Sequence, residues 1–128
     1  MPRTILVIDD SSTSRELIAY LLDAAGFRTL VAEDGPEGIE FARAEHPDLV
    51  LCDIHLPSMD GFAVARAFSA DAALAGVPMI AVTASAMVGD REKIIAAGFH
   101  GYIAKPITPE LIAAEVSDYF SKSGDHSR

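Results

Sequence analysis

The chain has 128 residues, half of them hydrophobic, a formal net charge of −9 and one cysteine. That length suits one compact domain whose core needs no staple, and one cysteine forms no internal disulfide. The acidity argues against non-specific nucleic-acid binding and against an anionic membrane surface, both of which need a basic footprint.

Met1-Pro2-Arg3 leads straight into a first predicted strand, Thr4–Ile8. No signal peptide or membrane-spanning stretch precedes it, so a cytoplasmic location is expected. Asp9 and Asp10 close that strand. The spacing predicts a first helix from about Thr13, which stands at capping-box distance from Glu16, to a stop at Gly26. Its inward stripe reads Leu17, Ile18, Leu21, Leu22 and Ala25. Arg28–Ala32 is a second strand. A second helix follows Asp34-Gly35-Pro36-Glu37 and stops before Pro47. Asp48–Cys52 is a third strand, closed by Asp53 and followed by the loop Ile54-His55-Leu56-Pro57-Ser58-Met59-Asp60-Gly61. Asp60-Gly61 reads as the turn and cap of a third helix that begins near Phe62 and ends before Gly76. Pro78–Val82 predicts a fourth strand, ending in Thr83-Ala84-Ser85. Arg91–Ala97 lies in a fourth helix halted at Gly98. Gly101–Ala104 is a fifth strand, ending in Lys105-Pro106. Thr108-Pro109, a cap followed by proline at the first helical position, opens a fifth helix that runs to about Ser121. What remains is a short polar tail.

The five apolar runs are dense in Val, Ile and Leu rather than alternating, the mark of parallel strands covered on both faces. Strands alternating with helices imply right-handed crossovers. The fold class is therefore α/β, a flavodoxin-like three-layer sandwich with a five-stranded parallel sheet in the order 2-1-3-4-5 and five helices. In that order the first and third strands are neighbours, and Asp9, Asp10 and Asp53 cluster at one sheet edge.

Carboxylates closing buried strands cannot be core residues, because an unpaired buried charge is too costly. They must meet solvent, a cation or a ligand, and ligands of open parallel sheets bind at the strand carboxyl ends. Thr83 and Lys105 close the fourth and fifth strands at the same edge. Three acids, a hydroxyl and a lysine suit phosphoryl chemistry. The acids offer the hard oxygen ligands that Mg²⁺ prefers, and the metal and Lys105 can neutralise a phosphoryl group. Cys52 reads as a small core hydrophobe, and His46, His100 and His126 as surface residues with no metal-ligand spacing.

The acidic pair Asp9-Asp10, then Asp53, Pro57, Asp60-Gly61, Thr83-Ala84 and Lys105-Pro106, resembles the bacterial response-regulator receiver domain in order and spacing. The likeness covers roughly residues 3–121, which sets the expected receiver domain at 1–121 and leaves 122–128 as the polar tail. The stretch Val82–Gly89, with Ser85-Ala86-Met87, also resembles receivers of hybrid kinases and of stand-alone cell-cycle regulators. The resemblance implies a two-component or phosphorelay switch, not an enzyme. It implies that Asp53 accepts a phosphoryl group from a sensor histidine kinase or histidine phosphotransfer protein. Mg²⁺ would be held by Asp10 directly, Asp9 partly through water, Asp53, and the backbone carbonyl of His55. Lys105 would pair with Asp53, and Thr83 would follow the phosphoryl oxygen. Tyr102 matches the aromatic switch position, and the Lys105-Pro106 peptide is expected to be cis. His55 stands where family members tune phosphoryl lifetime. A methionine is common there, so the histidine is a departure. The protein is expected to be a monomer, to bind neither nucleic acid nor membrane, and to signal to a downstream protein. Its surface for that would be the fourth helix, fifth strand and fifth helix, with Arg91, Lys93, His100, Tyr102 and Ile107 exposed.

Other classes stay in view. The chain could instead be a phosphate-relay intermediate or the receiver part of a hybrid kinase. An aspartyl phosphatase of the haloacid-dehalogenase type needs a second acid two residues after the first, where this chain has His55. A flavodoxin-like flavin carrier finds a hydroxyl-rich loop in Ser11-Ser12-Thr13-Ser14, but Asp9-Asp10 would repel a cofactor phosphate.

Overall fold

Five runs of apolar residues pair into one parallel sheet in the order β2-β1-β3-β4-β5, with a helix after each strand. The computed structural model describes residues 2–57, 59–84 and 88–126, with the side chains of 88–90 and 121–126 excepted. The elements are β1 (Thr4–Ile8), α1 (Ser12–Ala24), β2 (Arg28–Ala32), α2 (Gly35–Glu45), β3 (Leu49–Asp53), α3 (Gly61–Ala70), β4 (Met79–Thr83), α4 (Val88–Ala96), β5 (Gly101–Ala104) and α5 (Ile112–His126). The expected fold class and strand order are both present.

The two-residue period of a strand divides the core into two layers. Ile5, Val7, Leu49, Leu51, Ile80, Val82 and Ile103 point to the face covered by Ile18 and Leu22 of α1 and by Ile112, Val116 and Phe120 of α5. Leu6, Ile8, Val50, Cys52, Met79 and Ala81 point to the other face, against Ile39 and Ala42 of α2, Val64 and Phe68 of α3, and Ile94 of α4. Burial on both faces explains why β1, β3 and β4 carry no polar alternation, whereas the edge strand β2 is buried only at Ala32. Cys52 is a core residue, as its sequence context implied.

Several boundaries differ from the sequence expectation. The N-cap of α1 is Ser11, whose hydroxyl accepts from the Ser14 N–H, not Thr13. The first strand stops at Ile8, and the Asp9 carboxylate takes the Ser11 N–H, so the helix can begin at once. Within α1, Ile18 and Leu22 are buried and Leu21 partly so, but Leu17 and Ala25 are exposed, which narrows the inward stripe. The third and fourth ladders reach one residue further than their apolar runs, to Asp53 and Thr83. α3 ends at Ala70, well before Gly76, where Asp71 caps the chain and its carboxylate takes the Ala73 N–H. Residues 109–111 form a turn, with the Thr108 carbonyl accepting from Leu111 and Ile112, and α5 runs from Ile112 to His126 rather than stopping near Ser121. Tyr102 and Ile107, expected to be exposed, are half-buried, packed on the two core layers. Ser58, the Ser85-Ala86-Met87 stretch and the side chains of the 122–128 tail, His126 included, lie outside the described residues.

Candidate functional site

The parallel register builds the site. Ile8 pairs with Cys52, and the next residue on each chain segment is an acid, so Asp9 and Asp53 emerge side by side. Both are buried, at 1% and 6% exposure, while Asp10 is exposed one position further on. One carboxylate oxygen from each of Asp9, Asp10 and Asp53 lies within 4.8 Å of the others. Asp53 Oδ1 accepts the His55 N–H at 3.0 Å, and Asp9 Oδ1 accepts the Ser11 N–H at 2.9 Å. The cation arrives from β5. Lys105 Nζ donates to Asp53 Oδ2 at 3.1 Å and to Asp9 Oδ2 at 3.2 Å. Its main-chain N–H donates to the Thr83 carbonyl at 2.8 Å, and the Lys105-Pro106 peptide is cis, as the resemblance implied.

These contacts set the proton affinities. Burial pushes the Asp9 carboxyl above its usual range, and the neighbouring Asp53 charge adds to that; the Ser11 N–H and Lys105 pull the other way but do not cancel it. Burial alone would lower Lys105, yet the hydrogen bond to Asp53 and the charges of both acids hold its ammonium above the usual lysine range. Lys105 therefore stays a cation at neutral pH. Burial also pushes the Cys52 thiol up, so that it stays protonated.

One ammonium faces three carboxylates. At 4.8 Å a pair of like charges repels by ~3.5 kcal/mol with an effective dielectric near 20. Among the described residues Asp10 forms no hydrogen bond or ion pair to relieve this. The donor set is all carboxylate oxygen, which fits a hard divalent cation such as Mg²⁺. Asp9, Asp10 and Asp53 are the side chains that can hold it, and His55, tied through its N–H to Asp53, carries its backbone carbonyl on the adjoining loop.

The structure thus brings Asp9, Asp10, Asp53 and Lys105 together. Thr83 is the buried last residue of β4, one step beyond the partner of Asp53 in the ladder. Tyr102 lies nearby on β5, paired with Ala81, and its ring stands 5.9 Å from the Arg91 guanidinium of α4. Pro106 and the side chain of His55 are exposed. A residue absent from the sequence expectation, Arg15, joins this region. Its guanidinium donates to the Asp9 carbonyl at 2.8 Å and reaches Glu33 at 3.4 Å. Its position one turn into α1 was the only available signal.

The fold and this pocket define a receiver. Residues 5–117 match the family model for the response regulator receiver domain, and the chain belongs to that family, the receiver of two-component systems. Among its relatives is the polar-differentiation response regulator DivK of Brucella ovis, 36% identical over 119 residues, covering 93% of this chain and 97% of that one. DivK of Brucella abortus stands at the same identity and coverage. Among solved structures, a response regulator protein from Burkholderia multivorans is 35% identical with a TM-score of 0.74, covering 93% of this chain and 95% of that one. The chemotaxis response regulator CheY4 of Vibrio cholerae shares the fold, with a TM-score of 0.88 at 24% identity, over 92% of this chain and 98% of that one. No helix among the described residues is long and apolar enough to cross a membrane.

Proposed function

We propose that this receiver is a phosphorylation-controlled switch, with Asp53 as the acceptor. One observation carries the reading. The Asp53 carboxylate is buried at a strand end, fixed by the His55 N–H on one oxygen and by Lys105 on the other, with Asp9 and Asp10 beside it. A carboxylate held this way is preorganised for in-line attack. An Asp53 oxygen bonds to phosphorus as the phosphorus–nitrogen bond of a phosphohistidine on a kinase or phosphotransfer protein breaks. Mg²⁺, held by Asp9, Asp10, Asp53 and the His55 carbonyl, would supply charge neutralisation for the phosphoryl oxygens. Lys105 contributes a second positive charge and would follow the phosphoryl group from its place on Asp53. The Thr83 hydroxyl would donate to a phosphoryl oxygen, a charge-assisted bond to a group that carries more charge and more acceptor oxygens than the carboxylate alone.

That bond biases a two-state element. Thr83 and Tyr102 sit on neighbouring strands, so a shift of Thr83 toward Asp53 would open room for the Tyr102 ring and loosen its contact with Arg91. The surface of α4, β5 and α5 then reports the state to a protein partner in the cytoplasm. The domain turns over no substrate of its own and acts as a monomer, with α5 carrying it past the expected boundary at 121.

The test is labelling with acetyl phosphate, with and without Mg²⁺. The unsubstituted protein should label only with Mg²⁺, and Asp53→Asn should not label. Undiminished labelling of Asp53→Asn at the same stoichiometry would sink the reading.

A further inference from the structure

The carbonyl of Asp9 falls between two ladders. β1 ends at Ile8, and the N-cap of α1 is Ser11, so neither sheet nor helix supplies that carbonyl with a donor. A buried main-chain carbonyl needs one. Arg15 provides it, with Nη1 at 2.8 Å. The same residue's main-chain N–H donates to the Ser11 carbonyl at 2.9 Å. Arg15 thus grips the β1–α1 turn at two points, on either side of Asp10. Its side chain is only 13% exposed, although it carries a full charge. The second partner, Glu33, is 73% exposed and 3.4 Å away, a contact that solvent screens.

We propose that Arg15 is a positioning residue for the cation site: by holding the Asp9 carbonyl it fixes the peptide joining Asp9 to Asp10, and so the place of the Asp10 carboxylate. This rests on the reading of the acidic pocket as a Mg²⁺ site. The case is geometric. Asp10 has no side-chain partner among the described residues, so only its backbone sets where its oxygens stand. The Asp9 N–H is fixed to the Ala32 carbonyl at 3.1 Å, and the Asp9 carboxylate is fixed by Ser11 and Lys105. The Asp9 carboxylate and the Ser11 N–H close a turn around the Asp9–Asp10 peptide, and Arg15 holds the carbonyl of that peptide, which the turn itself leaves without a donor. Partners one step behind the ligands commonly control metal affinity by about 10- to 100-fold.

The experiment uses the full chain, stripped of divalent metal and titrated with Mg²⁺. Binding is followed by calorimetry and by the amide signals of Asp10 and Ser11. Arg15→Ala should weaken Mg²⁺ binding by about tenfold or more. Arg15→Lys, which can return one donor to the carbonyl, should fall between. Glu33→Gln should stay within about twofold of the unsubstituted protein, since an exposed pair contributes little. Urea unfolding in the presence of chelator separates affinity from folding. Labelling by acetyl phosphate should recover its full rate at saturating Mg²⁺ in Arg15→Ala, with only the half-saturating Mg²⁺ concentration displaced. A folded Arg15→Ala that binds Mg²⁺ as tightly as the unsubstituted protein overturns the proposal. So does Glu33→Gln as damaging as Arg15→Ala, because the grip would then run through Glu33. If Arg15→Ala does not fold, Arg15→Lys decides by the same criterion. Failure of the unsubstituted protein to bind Mg²⁺ would instead overturn the underlying reading of the pocket.

Discussion

Gly61 is where one added methyl group tests how Asp53 is held. The first residue of α3 lies against the end of β3, and its N–H donates to the Ile54 carbonyl at 2.8 Å. A Cβ at Gly61 would stand 2.6 Å from the Asp53 carbonyl oxygen, 2.7 Å from Ile54 Cα and 3.2 Å from the Asp53 carbonyl carbon. Ordinary contact begins at 3.4 Å, so the closest approach falls short by the difference of 3.4 and 2.6, or 0.8 Å. The obstructing atoms are main chain, and no rotamer change can relieve them. Either α3 lifts away from β3 or the Asp53–Ile54 peptide moves, taking the Asp53 carboxylate with it. Overpacking of this kind costs ~1–3 kcal/mol, and the upper half of that range is expected here because backbone must yield. A misplacement near 1 Å lowers reaction rates by up to ~10²-fold. Gly61→Ala should therefore lose about 2 kcal/mol or more in urea unfolding. It should also label from acetyl phosphate about tenfold more slowly at saturating Mg²⁺. Gly76→Ala is the control, because a Cβ there meets nothing within 4 Å. A Gly61→Ala protein matching Gly76→Ala in both stability and labelling rate would refute the packing argument.

The remaining predictions concern the pocket and its frame. Burial raises the Asp9 carboxyl above 3.8, so between the unfolded and folded values the native state holds a proton that the unfolded chain has lost. Stability without metal then falls as pH rises through that window and stays lower above it; Asp9→Asn should remove this slope in chelator and unfold at an equal or higher urea concentration at pH 7, while losing stabilisation by Mg²⁺. A lower midpoint for Asp9→Asn in chelator would contradict the burial argument. Thr83→Ala should still accept phosphate, but the chemical-shift change at Tyr102 on adding beryllofluoride and Mg²⁺ should shrink by half or more; an unchanged response would remove Thr83 from the switch. His46 ends α2 in the left-handed conformation at φ 49, so His46→Gly should stabilise the fold by ~0.5–1 kcal/mol without changing labelling. A destabilised His46→Gly would show that the imidazole makes a contact worth more than the strain.

The parts of the site legible in the sequence are those that terminate apolar runs. Asp9, Asp53, Thr83 and Lys105 each follow a stretch too hydrophobic to be anything but a covered strand, and strand order does the rest. The order was readable because five strands alternating with helices fit it, and it then sets the two acid-terminated strands side by side, the arrangement found in the ladder joining Ile8 to Cys52. Ends of elements were harder, for local reasons. Four hydroxyl residues, Ser11 to Ser14, compete for one cap, and the Asp9 carboxylate decides for Ser11 by taking its N–H. The alanine-rich stretch after Phe68 contains no breaker, yet Asp71 turns the chain, held by Arg43 at 2.9 Å across a distance no local pattern shows. Tyr102 and Ile107 were expected at the surface because they lie on the presumed output face, but each packs against one of the two core layers. Arg15 was hidden for a related reason. A long side chain reaching back to a main-chain carbonyl leaves no periodic trace.

Trapping the acyl phosphate with borohydride tests the central claim most directly. After incubation with acetyl phosphate, reduction converts a phosphorylated aspartate to homoserine, and peptide mass spectrometry finds the position. Homoserine should appear at residue 53 alone, and only when Mg²⁺ was present. Homoserine at Asp9 or Asp10, or equal conversion of Asp53 in chelator, would contradict the assignment of acceptor and metal ligands.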